Sequence, residues 1–147
     1  MRPDGPPLGL LLATTSKAVG RAFNDALGRS GGSIPIWLIL NALKPEPRRT
    51  QLDLARAVGI EGPTLTRHLD GIEQAGLVKR QRGTPDRRTV QVELTPAGHA
   101  LHARLLKAVI SFNQQLRVGL QKEDLDALRR MLEQLQTNVG AGHHSRS

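Results

Sequence analysis

The middle third of the sequence constrains the fold most, because its apolar spacing changes from helical to strand-like within a short distance. One helix is predicted over 50–58 and a second over 61–75, with Gly59 at the turn between them. The stretch 77–81 is followed by a turn at 83–86 and then by strict alternation of apolar and polar residues in 89–94, which predicts a β-hairpin. Two short helices followed by a hairpin are typical of a winged helix-turn-helix.

Amphipathic helices flank this unit, and no other segment carries a convincing β signal. The predicted fold is therefore mainly α with a small β-hairpin wing. The remaining helices are predicted over about 8–27, 35–43, 96–116 and 125–139, and helix-breaking tails, expected to be flexible, occupy 1–7 and 140–147.

Two helix starts carry capping residues. Thr50 precedes the first helix of the unit, and its hydroxyl can accept from free backbone amides, with Asp53 at the positive end of the helix dipole. Thr95 and Pro96 form a similar N-cap and first-turn proline before the next long helix.

The second helix of the unit has one apolar and one polar face. At about 100° per residue, Leu65, Leu69 and Ile72 share one face, and Pro63, Thr66, Arg67 and Asp70 share the other. Arg67 can donate bidentately to guanine, and the hydroxyls of Thr64 and Thr66 can contact bases or phosphates. Asp70 is expected to orient Arg67 or a neighbouring arginine. The alternative is an ordinary solvated helix face.

The predicted wing is strongly basic. Residues 79–88 contain five basic residues, among them Arg82, and the single acid Asp86, a formal charge of +4. A narrow minor groove attracts arginine, and Asp86 is placed to brace Arg88 through a bidentate pair. These residues favour a hairpin that reaches into DNA.

The composition points to the same partner. The chain has 21 Lys and Arg residues against 13 Asp and Glu, a net charge of +8, and only three aromatic residues. Duplex DNA is thus a better partner than single strands, which are bound by stacking. The longest apolar stretch near the N-terminus, 8–13, is too short for a membrane span or signal peptide, which favours a cytoplasmic protein.

Between residues 50 and 101 the sequence resembles the MarR (multiple antibiotic resistance regulator) family of transcription factors. The blocks that carry the resemblance, in order, are Leu54-Ala55, Thr64-Leu65-Thr66-Arg67-His68-Leu69-Asp70, Gly76-Leu77-Val78-Lys79-Arg80, Asp86-Arg87-Arg88 and Val92-Glu93-Leu94-Thr95-Pro96-Ala97-Gly98. Outside this stretch the resemblance rests on the pattern of helices.

The resemblance implies a homodimer whose N- and C-terminal helices form the interface and whose two winged lobes grip a palindromic operator. The leucines of the first and last two helices also exceed what one small core can hide. The chain is then a single domain over 1–147, with a dimerisation region at 8–44 and 96–139 and a DNA-binding lobe at 45–95. The family's DNA contacts correspond to Pro63, Thr64, Thr66, Arg67, Asp86 and Arg88.

Arg48 and Arg49 lie just before the first helix of the unit. We expect them to contact phosphates or to face solvent. This inference comes from their position and charge, not from the resemblance.

Regulators of this family respond to phenolic or other small aromatic ligands, to cysteine oxidation or to zinc. The absence of cysteine excludes the oxidation route. Trp37 is either core filler or part of a ligand pocket. His99 and His102, three residues apart, raise the question of zinc, but no spacing supplies further ligands, so no metal is predicted and the histidines are expected to be surface or capped residues.

The sequence thus predicts a dimeric, sequence-specific transcriptional regulator, a repressor released by a small molecule, without a cofactor. The alternatives are a low-specificity architectural or anti-silencing DNA binder and a winged-helix protein-interaction module. An enzyme is not expected, because the sequence has neither a phosphate-binding loop nor a nucleophile elbow.

Overall fold

The structure is a computed structural model that describes residues 4–46, 48–82 and 89–140, without the side chains of Arg48 and Arg82. The predicted flexible tails fall largely outside these residues. The chain divides into two compact units, Met1–Phe112 and Asn113–Ser147.

The architecture is mainly helical with one small antiparallel sheet, as predicted. The helices are α1 (Leu8–Arg29), α2 (Ile34–Leu43), α3 (Gln51–Val58), α4 (Gly62–Gln74), α5 (Pro96–Leu116) and α6 (Lys122–Asn138), and the strands are β1 (Arg48–Thr50), β2 (Val78–Arg82) and β3 (Val90–Leu94). Helices α3 and α4 followed by β2 and β3 form the predicted winged helix-turn-helix.

The sheet has the strand order β1-β3-β2, so β3 is central. The predicted hairpin is confirmed, with Arg80 of β2 opposite Val92 of β3. The expectation of no further strand was wrong, because Arg49 of β1 also pairs with Val92 from the other side. A strand of three residues has no alternation to recognise, and its pairing depends on a partner more than forty residues away.

Both predicted caps are present. The Thr50 hydroxyl accepts from the backbone N–H of Asp53 at 3.1 Å, and the Thr95 hydroxyl accepts from that of Gly98 at 3.1 Å. Gly59 ends α3 in the left-handed conformation, with φ 69°, which a side chain would disfavour. The turn between α3 and α4 therefore follows directly from the sequence.

The core of the Met1–Phe112 unit is built largely from leucine. Leu54 of α3 and Leu65 and Leu69 of α4 are fully buried against the apolar helix α2. Each such side chain contributes about 1.5–3 kcal/mol of burial free energy. This packing determines which face of α4 points outward.

Apolar side chains remain uncovered on the terminal helices. On α1, Leu8 and Leu10 are 59% and 60% exposed. On α6 no residue is buried, although its leucines recur at three- and four-residue spacing. Across the described residues, none of the helices combines the length and apolar character that crossing a membrane requires.

Candidate nucleic-acid interface

Helix α4 presents a polar face because its apolar face is anchored in the core. Leu65 and Leu69 are fully buried, whereas Pro63 and Arg67 are exposed and Thr64 is half-buried. Within the described residues, the Arg67 guanidinium makes no ion pair. An exposed, uncommitted arginine on a helix of this kind is able to donate to a base edge.

Thr66, on the same side of α4, is more constrained than its sequence position suggests. Its hydroxyl accepts from Nε2 of Gln51 at 2.7 Å and donates to the carbonyl of Gly62 at 3.0 Å. The Gln51–Thr66 bond joins α3 to α4. Sequence reasoning missed Gln51, because no local pattern reveals a contact across fifteen residues.

Asp70 binds Arg80 of strand β2, not Arg67. The Arg80 guanidinium donates through Nη2 to Asp70 Oδ1 at 2.5 Å and to Glu73 Oε1 at 3.0 Å, and its Nε donates to the same Glu73 oxygen at 3.2 Å. The backbone N–H of Arg80 donates to the other Glu73 oxygen at 2.8 Å. Asp70 was expected to orient either Arg67 or a neighbouring arginine, and the structure supports the second of these roles.

The charges of this cluster stabilise one another. The hydrogen bonds from the Arg80 backbone N–H and then from its side chain lower the pKa of Glu73 from its ordinary 4.5. Burial of the Arg80 guanidinium would lower its pKa, but the hydrogen bonds to Asp70 and Glu73 outweigh burial and raise it. Glu73 and Arg80 are therefore both ionised at neutral pH.

This pairing changes the charge of the wing. The Arg80 side chain is only 20% exposed and is held by two carboxylates, so it adds little to the field that DNA would meet. Lys79, next to it on β2, is exposed. Asp86 and Arg88 lie outside the described residues, as do the side chains of Arg82 and Arg48.

Arg49 lies on β1 rather than in a loop before α3. Its side chain is 22% exposed, and Nε lies 3.3 Å from Oε2 of Glu46. Pairing of β1 with β3 fixes the position of the Arg49 backbone at the edge of the winged unit.

Comparisons with known proteins identify the family. A model described as MarR family matches residues 33–89. The transcriptional repressor CouR, solved bound to a 23-mer DNA duplex, is 30% identical with a TM-score of 0.79, over 88% of this chain and 92% of CouR. The chain belongs to the MarR family. It is thus a winged-helix transcriptional regulator, a class of proteins that are not enzymes.

Two further solved structures agree in fold. A cysteine-to-serine mutant of MarR from E. coli, complexed with operator DNA, is 25% identical with a TM-score of 0.79, over 88% of this chain and 93% of that chain. An organohalide-sensing transcriptional regulator bound to 2,4-dichlorophenol is 18% identical with a TM-score of 0.82, over 97% of this chain and 91% of that chain.

In this MarR-family chain Trp37 and His102 form a buried stack. Their ring centroids are 5.2 Å apart with planes inclined by 19°, and the residues are 8% and 5% exposed. His102 Nε2 lies 3.1 Å from Oδ1 of Asn41, and His99 Nδ1 lies 3.2 Å from Nζ of Lys44. The expectation that His102 is a surface or capped residue was wrong, because it shares the buried face of α5.

The two histidines do not converge on a common point of coordination, since each has its own partner. Within the described part of this MarR-family chain, no group of three or more His, Cys, Asp or Glu side chains is placed to hold a metal ion. Trp37 lies in the core, and a ligand-binding role for it stays a prediction.

Proposed function

We propose that this chain is a dimeric, sequence-specific DNA-binding repressor released by a small aromatic molecule. The observation that carries the proposal is the orientation of α4, whose leucines lie in the core while Arg67 points away from it without an ion pair in the described residues. Such a helix fits the major groove, which is wide enough to admit it.

The proposed base contacts come from the outward face of α4. Arg67 donates bidentately to guanine, and Pro63 and Thr64, in the first turn, lie near the bases or phosphates. Thr66 contributes its methyl group to this face, and its hydrogen bond with Gln51 holds α3 and α4 in a fixed relative position.

The proposed backbone and minor-groove contacts come from the predicted wing and from β1. Arg88, braced by Asp86, and Arg82 enter the minor groove, where the negative potential favours guanidinium groups. Arg48 and Arg49 approach phosphates from β1. Removal of a phosphate contact weakens binding to every duplex alike.

Repression and DNA binding are supported by relatives. CouR is a repressor solved with a DNA duplex, and MarR from E. coli is solved with operator DNA. The effector class is proposed because a regulator of the same fold is solved with 2,4-dichlorophenol.

The dimer is proposed from the uncovered apolar faces of α1 and α6. Residues 8–44 and 96–139 would form the dimerisation region, and 45–95 the DNA-binding lobe within a single domain over 1–147. A second copy covering these faces would also place two lobes on one side of a palindromic operator, with half-sites about 34–36 Å apart.

Selection of genomic fragments at physiological salt tests the proposal. The wild-type chain should retain a discrete set of fragments that share a palindrome. Arg67→Ala should weaken binding to the preferred site by about 1–3 kcal/mol and non-specific duplex far less. Arg104→Ala, an exposed arginine on α5, is the matched control and should bind as wild type does.

Equal retention of all fragments would favour the architectural DNA binder instead. No retention would favour the protein-interaction module. Release of the selected fragments by simple phenols, without loss of the folded state, tests the effector class, and a panel of phenols without effect on binding would contradict it.

A further inference from the structure

Asp70 presents a problem for a helix that reads DNA. Its side chain is 59% exposed and lies three residues after Arg67, on the same face of α4. An uncompensated carboxylate at this position would repel phosphates, and it would also compete with guanine for the Arg67 guanidinium.

The structure resolves this competition in favour of Arg80. The Asp70 carboxylate is hydrogen-bonded to Arg80 Nη2, whereas Arg67 makes no ion pair within the described residues. Helical neighbours three residues apart are able to pair, so Asp70 has two cations within reach. It pairs with Arg80 and not with Arg67.

Arg80 is pre-organised for this role and Arg67 is not. Glu73 accepts from both the backbone N–H and the guanidinium of Arg80, and the β2–β3 ladder fixes the Arg80 backbone opposite Val92. The guanidinium therefore loses little further entropy when it binds Asp70, and the three side chains share a cleft of about 500 Å³ between α4 and the sheet.

From this geometry we propose that Arg80 is a positioning residue that holds Asp70 away from Arg67 and so leaves Arg67 free to bind guanine. Arg80 itself contacts no DNA. The inference rests on the proposed function and assigns a specificity-supporting role to a wing arginine.

Arg80→Gln tests the proposal through operator affinity and its salt dependence. Without Arg80, Asp70 captures Arg67, and specific affinity should fall by about 10-fold or more, the order of one lost bidentate base contact. The slope of log affinity against log salt should stay within about 0.3 of the wild-type value, because no phosphate contact is removed.

Two double variants separate this role from a merely structural one. Asp70→Asn/Arg80→Gln should recover operator affinity to within about 3-fold of wild type, since no carboxylate remains beside Arg67. Glu73→Gln/Arg80→Gln also removes a carboxylate partner of Arg80 but leaves Asp70, so it should stay about 10-fold weaker. Because both double variants carry Arg80→Gln, an effect of that substitution on folding is common to them and cancels in the comparison.

Other outcomes would overturn either the role of Arg80 or the proposed function. Equal affinities of the two double variants would overturn the role of Arg80. A salt slope that falls by about 0.9 in both Arg80→Gln and Asp70→Asn/Arg80→Gln would also overturn it, because such a fall indicates a lost phosphate contact. If the wild-type chain binds no DNA, the proposed function fails and this inference with it. Wild-type binding without selective recovery overturns the inference alone.

Discussion

Gly98 of α5 lies so close to Leu77 that a Cβ at position 98 would be 2.1 Å from the Leu77 carbonyl oxygen. The same carbonyl accepts from the backbone N–H of Thr95 at 3.1 Å. The start of α5 is therefore seated directly on the turn that joins α4 to β2, and only glycine allows this approach.

Gly98→Ala should destabilise the protein by at least about 2 kcal/mol, because the backbone of either α5 or the turn must move. The measurement is the free energy of unfolding from urea titration at fixed protein concentration. Gly71→Ala on α4, where nothing lies within 4 Å of an added Cβ, is the control and should raise stability by about 0.5–1 kcal/mol. Similar unfolding free energies for the two variants would contradict the close approach.

Thr95→Val should cost about 1–2 kcal/mol of unfolding free energy, since it removes the N-cap at nearly constant volume. The substitution removes two hydrogen bonds of the Thr95 hydroxyl, which accepts from the backbone N–H of Gly98 and donates to the Gly76 carbonyl at 2.5 Å. Thr95→Ser keeps the hydroxyl and should recover most of the loss in thermal or urea unfolding. A serine variant as unstable as the valine variant would show that the methyl group, not the cap, matters.

The buried stack of Trp37 and His102 should make stability depend on pH. Burial, followed by the nearby charges of Lys44 and His99, lowers the pKa of His102 below its ordinary 6.5. A base whose pKa is lower in the folded state is held neutral there. Its contribution to the free energy of unfolding is therefore complete above pH 6.5. That contribution is lost as the pH falls from 6.5 through the folded-state pKa, by about 1.4 kcal/mol for each unit of difference.

Unfolding free energies at pH 7.5 and 5.5 should therefore differ more for wild type than for His102→Gln. Trp37 is the single tryptophan, so its fluorescence reports the protonation of its stacked neighbour directly. His68→Gln, on α4, is the control and should retain the wild-type difference. An equal pH dependence in wild type and His102→Gln would contradict the prediction.

Leu128→Glu on α6 should shift the chain from dimer to monomer, because Leu128 is 43% exposed on the apolar side of a helix that buries none of its residues. Light scattering after gel filtration across a dilution series measures the change. Arg130→Glu introduces the same carboxylate about 200° around the helix and should leave the dimer intact. A wild-type chain that is monomeric at micromolar concentration would contradict the dimer itself.

Local signals predicted much of this fold. The apolar spacing of Leu65 and Leu69 located α4, and Thr50 and Thr95 located two helix starts, because periodicity and capping depend on residues within a few positions. Strict alternation located β3. These features need no knowledge of the rest of the chain.

What sequence reasoning missed depends on distant partners. Strand β1 exists because β3 offers a free edge, and the Arg80–Asp70 pair joins a strand to a helix. A signal was available for Arg80, since Asp70 and Glu73 lie three residues apart on one side of α4, ready for a cation. His102 could have been placed inside from its spacing with Gly98 and Leu105 on the buried side of α5.

The central position of β3 has a mechanical consequence. It is hydrogen-bonded on one side to the residues that lead into α3 and on the other to the residues that follow α4. The chain enters and leaves the helix pair through one shared ladder, and we therefore expect the helix pair and the sheet to move as one rigid body. A displacement of any part of this body should then move Arg67 and the base of the wing together, at a constant distance from one another.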